Sequence, residues 1–450
     1  STLTNERATL SHLSRARLPY WYPCSYIMGK KSRAEAASPK QGAKASVAAA
    51  LSKPGKADQF QLLLLPPLLI ATYLIGSSDA FVSSAEGRCN FLVRFLLFSL
   101  LEGPMRVPFS LLVMPLSRVL SRRLPGAVVP DEIEAVAEQD HQQHDNSLPW
   151  PVPATVARIP KEWRDVAAKT GNKQPFFLNH VRGCVRLRQA AVRICAALGT
   201  CAQVAIMSWL VDRRSLDAIG AAVQPMDVAL GMLVGVAIVC GLFIAEVASG
   251  WLRVVSYTGE VVVPGEWLSL NILWDIVFHV AVSINEELSL RGWILVNSAH
   301  ACADHFGSSP PVAMALAVVM QAMLFALYHV GSPGATKVGL LNLTVGGSCA
   351  ALNIFLTGGV SFALGWHFGW NITMGHLLGL STSGIPMSAK LVSVVPHPLK
   401  AHLHGGRFGP EQSLLAVPTY LVGVVMLVAF YGSDGLGVWQ ARLARADDAD

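Results

Sequence analysis

At 450 residues, with 52% hydrophobic and only 14% charged side chains and a mean hydropathy of +0.44, the chain is too apolar for one soluble domain. It reads as an all-α protein, a polytopic bundle in a membrane. The net charge of +6 is modest and Lys and Arg crowd the first stretch, which fits a basic face against membrane lipid and speaks against a nucleic-acid partner.

In chain order, residues 1–59 are rich in Ser, Ala, Lys and Arg, poor in acids, and hold no apolar run able to build a core. They are expected to be disordered or a removable targeting segment of the organelle transit type. A fragment, a processed form, or a frame running through from upstream of Met28 each accounts for the opening Ser1. Met28-Gly29 offers no lipid anchor, because Arg33 stands where the myristoylation pattern needs Ser or Thr.

Residues 60–263 are expected to form an N-terminal membrane region. Phe60 to Gly76 is a short apolar run with Pro66-Pro67 inside it, and Phe91 to Leu120 is interrupted by Arg94, Glu102, Arg106 and three prolines, which predicts a broken, interfacial or partly buried element. From about 125 to 183 the chain is a polar loop without a span, and His141 and His144 there read as solvated side chains. Apolar runs follow at Ile194–Val211, Val228–Ala248, Leu268–Ile284, Val312–Val330, Leu340–Leu356, Val360–Leu380 and Leu414–Tyr431. Each approaches the roughly 20 residues a bilayer demands, so the bundle is expected to hold roughly eight transmembrane helices around a polar intramembrane cavity. Residues 264–431 would be its functional domain and 432–450 a polar tail. The eight cysteines form no Cys-x-x-Cys pair; Cys195, Cys201, Cys240 and Cys349 lie in apolar runs and read as small buried hydrophobes. The protein is therefore expected to be integral and multi-pass, in an organelle membrane if the first stretch is a targeting signal, with its basic N-terminus on the cytosolic, stromal or matrix side.

Against this background, two adjacent carboxylates at membrane depth, Glu286 and Glu287, stand out. An acid near the bilayer centre costs roughly 2.5 to 3.5 kcal/mol by insertion scales, which makes the pair a functional-site hypothesis. Glu287 and Arg291 are four apart and share a helical face, so they can neutralise each other and leave Glu286, about a hundred degrees round, for another task. Two later helices carry matching pairs: Phe325 with His329, and His367 with Asn371. His279, His300, His305 and His376 read instead as histidines bonded to backbone carbonyls.

The ordered set Glu-Glu-x-x-x-Arg, Phe-x-x-x-His and His-x-x-x-Asn on successive membrane helices resembles the CPBP intramembrane proteases, the Abi-domain family that includes type II CaaX prenyl endopeptidases and bacteriocin-immunity proteins. The resemblance covers roughly Leu268 to Tyr431. It extends to Gly405-Gly406-Arg407-Phe408-Gly409-Pro410-Glu411, for which no chemistry is expected beyond a turn. It departs at Ser289-Leu290, where many relatives carry an aromatic before the Arg, a packing position.

The resemblance implies hydrolysis of peptide bonds in membrane-associated, including prenylated, substrates. Amide hydrolysis needs a base for water, a stabiliser for the oxyanion and a proton for the leaving amine. Glu286 is the candidate base, His329 holds the water or delivers a proton, and His367 with Asn371 stabilises the oxyanion. Glu287, Arg291 and Phe325 support them. No cofactor is favoured. The alternative is zinc held by Glu286, His329 and His367, although no His-Glu-x-x-His helix is present. Two readings from other classes are an inert scaffold or assembly factor on the same fold, and a transporter or proton pathway.

Overall fold

The computed structural model describes residues 56–77, 90–123, 186–257, 259–261, 267–385, 387 and 389–444. Most of the expectations for the first stretch and the polar loop, His141 and His144 among them, fall outside these residues. The described chain forms the helices α1 Lys56–Ser77, α2 Asn90–Arg123, α3 Arg186–Ile206, α4 Pro225–Ala248, α5 Leu268–Glu286, α6 Leu295–Phe306, α7 Pro310–Tyr328, α8 Lys337–Thr357, α9 Ser361–Ile372, the short α10 Ala401–His404, α11 Ala416–Tyr431 and α12 Asp434–Ala444. Three π-helical turns extend α3 (Met207–Val211), join α5 to α6 (Glu287–Ile294) and extend α9 (Thr373–Leu377).

Among the described residues six helical columns are long and apolar enough to cross a membrane: Leu92–Ser117, Gln189–Val211, Pro225–Ala248, Leu268–Asp304, Pro310–Tyr328 and Lys337–Thr357. A seventh exists if α11 and α12, bent by 85°, count as one span. The chain is an integral, multi-pass membrane protein. The count of roughly eight is not reached among the described residues, and the difference has local causes. Val360–Leu380 is only a 12-residue α-helix and a five-residue π-turn before it breaks, and α11 has only 16 residues before its bend into α12.

Phe91 to Leu120 is not broken, because it lies in one continuous helix despite Pro104, Pro108 and Pro115; it is partly buried, with Leu97, Phe98 and Leu101 in the core and Leu92, Leu96 and Leu100 exposed. The charges that made it look broken are neutralised inside the bundle. Glu102 and Arg106 are an i,i+4 ion pair, and Arg94 reaches Asp212 at 3.4 Å. Nor is the stretch after residue 431 merely a polar tail. Its helix α12 buries Trp439 and Leu443, and the Trp439 indole donates to the Ile354 carbonyl at 3.1 Å.

The packing that fixes the site is the crossing of α4 and α9. Gly231 and Gly235 on one helix meet Gly365 and Gly369 on the other, a small-xxx-small seam on both sides that lets the backbones touch. A Cβ on Gly365 would overlap the Val228 carbonyl oxygen and come 2.8 Å from the Met232 nitrogen; one on Gly235 would lie 2.6 Å from the Trp366 carbonyl oxygen. Two antiparallel strand pairs then pin the loops. β1 (Leu252–Ser256), after α4, pairs with β4 (Ser393–Pro396), Arg253 opposite Val395, and β2 (Glu260–Val261) pairs with β3 (Ala389–Lys390). The connection into α5 is thereby stitched to the segment following α9, so the two helices that carry the acids and the His-x-x-x-Asn pair are tied together through these loops.

Candidate active site

α5 begins as an ordinary apolar helix, and at Glu287 its turns widen to a π-helix that runs to Ile294. Single π-turns inside α-helices recur at functional sites because they re-aim side chains that a regular helix would spread. Here the widening starts between the two acids, and their environments differ sharply. The Glu287 side chain is 2% exposed and the Glu286 side chain 20%.

Glu287 is fully engaged. Its Oε1 accepts from Arg291 Nη1 at 3.0 Å and from His367 Nδ1–H at 2.7 Å. The carboxylate oxygen can only accept, so Nδ1 of His367 carries a proton and Nε2 is turned to Glu286, 3.9 Å from Oε2. That gap is longer than a direct hydrogen bond. The Arg291 guanidinium, 1% exposed on its side chain, lies over the Phe325 ring at 4.3 Å from its centroid. Phe325 in turn meets His329 edge to face at 4.9 Å, and His329 Nδ1 donates to the Phe325 carbonyl at 2.9 Å. Asn371, one turn beyond His367 on α9, is buried. The three spaced pairs expected from the sequence are thus linked by contact through Glu287, His367, Arg291, Phe325 and His329. Asn371 adjoins that set by its place on α9.

Residues 268–373 match the family described as type II CAAX prenyl endopeptidase Rce1-like. This segment is similar to that protease family. The match spans less than half of the chain but contains every paired residue from Glu286 to Asn371. No curated protein and no solved structure matches the chain.

Helices outside the Rce1-like segment also reach the site. The Asn285 carbonyl oxygen Oδ1, next to Glu286, accepts from Thr200 Oγ1 at 2.6 Å and from Arg106 Nη2 at 3.5 Å. Ser289, at the departure from the family pattern, donates to the Asn285 backbone carbonyl at 2.6 Å.

The zinc set does not converge in the Rce1-like segment. No three His, Cys, Asp or Glu side chains among the described residues lie close enough together to hold an ion, although His367 and His329 each commit Nδ1 and leave Nε2 free, as a ligating histidine does.

Two buried polar clusters escaped the sequence. His376 does bond a backbone carbonyl, that of Ala389 at 2.7 Å, as expected. It also approaches Asp275 at 3.2 Å and His279 at 3.2 Å. An acid inside the apolar run of α5 was the available signal. At the other cluster Asp212 accepts from the Trp293 indole at 2.7 Å and from Asn297 at 3.4 Å; nothing local in the sequence joins residues so far apart.

Proposed function

We propose that the chain is an intramembrane endopeptidase that cleaves membrane-associated proteins, prenylated Cys-aliphatic-aliphatic-X termini among them, with a water activated by Glu286. The observation that carries this reading is the asymmetry of the two acids. Glu287 is buried and tied down by Arg291 and His367, whereas Glu286 is accessible and stands 3.9 Å from His367 Nε2.

In this reading Glu286 takes a proton from water as the water attacks the scissile carbonyl. His367, held by Glu287 through Nδ1 and acting as the imidazolium with a second proton on Nε2, and Asn371 on the same helix donate to the oxyanion, and such preorganised donors stabilise charge best where water is excluded. Glu287 and Arg291 fix the angle of His367 and contribute no proton. His329, whose Nδ1 is committed to Phe325, presents Nε2 as the proton carrier for the leaving amine.

The test is Glu286→Gln in detergent-purified protein with a membrane-anchored peptide substrate. Turnover is expected to fall at least about 100-fold, the lower end of a general base's contribution, with unchanged thermal stability. Normal hydrolysis by this variant would sink the mechanism, and an absence of wild-type turnover on prenylated and unprenylated peptides alike would favour the scaffold reading.

A further inference from the structure

Glu286 stands at the junction where α5 changes from an α-helix to a π-helix, and among the described residues its carboxylate accepts no hydrogen bond. His367 Nε2, at 3.9 Å, is beyond bonding distance. Nothing bonded to this side chain aims it, so its direction is set by the backbone beneath it. That backbone is fixed one residue earlier.

Asn285 is half-buried, and its Oδ1 accepts from two helices outside the Rce1-like match: from Thr200 Oγ1 on α3 at 2.6 Å and from Arg106 Nη2 on α2 at 3.5 Å. A guanidinium only donates, which identifies the Asn285 atom between them as the oxygen and makes the Thr200 hydroxyl the second donor. The Arg106 contact is long, so Thr200 makes the stronger of the two bonds. Both donors are themselves held. Thr200 is buried. Arg106 is paired with Glu102 through the same Nη2, and its stem lies against Gly199, where a Cβ would come 2.8 Å from Arg106 Cγ and 3.1 Å from its backbone nitrogen. A glycine beside Thr200 thus lets α2 approach α3 closely enough for both side chains to reach one oxygen. On the same turn of α5, Ser289 Oγ donates to the Asn285 backbone carbonyl at 2.6 Å and lies 3.4 Å from that of Glu286. Back-bonding of this kind bends helices. The turn that carries Glu286 is therefore bonded through a side chain to two other helices and through its backbone to its own π-turn.

We propose that Asn285 is a positioning residue for Glu286, pegged to Thr200 and Arg106 so that the widening of α5 leaves Glu286 facing His367. The proposal rests on the peptidase reading. It makes α2 and α3 part of the machinery although neither lies in the matched segment. The role is geometric: Asn285 exchanges no proton and touches no substrate, and its loss displaces the base from the water it activates. Misplacing a reacting group by about 1 Å costs up to about 100-fold in rate.

Thr200→Val keeps the shape and removes the hydroxyl. In detergent-purified protein it is expected to leave KM for a membrane-anchored peptide little changed and to lower kcat about 5- to 100-fold. Thr200→Ser, which keeps the donor, should recover most of that loss. The decisive measurement repeats Thr200→Val in the Glu286→Gln background, with cleavage followed by mass spectrometry over incubations long enough for a variant about 100-fold slower. With the base already gone, Thr200→Val should lower turnover less than about twofold further, because residues that act as a unit are not additive. Asn285→Ala removes the acceptor instead of the donor and should give the same pattern; it decides the matter if Thr200→Val does not fold. An equal loss in both backgrounds marks a structural contribution and overturns the proposal, as does an unchanged kcat in the single variants. Wild-type protein that cleaves no peptide, or Glu286→Gln that cleaves normally, sinks the peptidase reading and this proposal with it. Where wild type cleaves and Glu286→Gln is slow, that reading stands, and an additive Thr200→Val removes only the role given to Asn285.

Discussion

Replacing Glu287 by Gln isolates the value of one buried charge. The amide oxygen of Gln can stand where Oε1 stands and accept from Arg291 and His367 at the same distances, so shape and bond count survive. What disappears is the negative charge, leaving the Arg291 guanidinium, 1% exposed, without a counter-ion. Its remaining neighbour is the Phe325 ring at 4.3 Å. A cation–π contact contributes about 0.5 to 2 kcal/mol, whereas breaking a buried ion pair by removing one partner costs about 3 to 5 kcal/mol. The ring cannot make up the difference. Glu287→Gln is therefore expected to be destabilised by about 3 kcal/mol, the lower end of that range, in a reversible denaturant titration in mixed micelles. The companion is Glu287→Gln with Arg291→Met, which removes the stranded charge and keeps an unbranched chain over Phe325. It should recover more than half of the loss while hydrolysis stays impaired, because His367 has lost its charged anchor. A single variant as stable as wild type, or a double variant less stable than the single, would refute the reasoning.

Two further outcomes follow from the geometry. Gly365→Ala drives a methyl into the Val228 carbonyl, a backbone group that cannot rotate away; overpacking of this kind costs about 1 to 3 kcal/mol, and because His367 is two residues on, turnover should fall as well as stability, whereas Ala at Gly241, whose Cβ would meet nothing within 4 Å, should change neither. Metal analysis of active, detergent-purified protein should find no stoichiometric zinc, and activity should survive chelation; about one zinc per chain, lost and restored together with activity, would replace the glutamate-only mechanism with a metal-assisted one.

The parts of the site that were legible are those whose partners lie on the same turn of helix. Glu287 with Arg291, Phe325 with His329, and His367 with Asn371 each repeat a spacing of four, and a spacing of four is a statement about one helical face that needs no tertiary knowledge. The same rule misled at α2, where the charges were read as interruptions although Glu102 and Arg106 are themselves four apart and pair. Arg94 could not have been read at all, since Asp212 lies far along the chain, just past the π-turn that extends α3. The number of spans suffered for a related reason: hydropathy measures how apolar a run is, while the break of α9 into a π-turn after Ile372 depends on its surroundings.

Glu411 marks the limit more clearly than any of these. Its loop shows glycines and a proline in sequence, the ordinary vocabulary of a turn, and a turn is what it makes. Its chemistry comes from the surfaces it docks on: Ser383 after α9, Thr336 before α8, and Phe325 at the end of α7. A loop that packs on three turns at once can bury a carboxylate on the Ser383 donors without a long helix to carry it. The rigidity of that carboxylate then depends on backbone contacts so close that Gly409 tolerates no Cβ. The glycines are therefore part of how the acid is placed, and a substitution in this loop that leaves the fold intact but loosens its docking should act first on the bonds between Glu411 and Ser383.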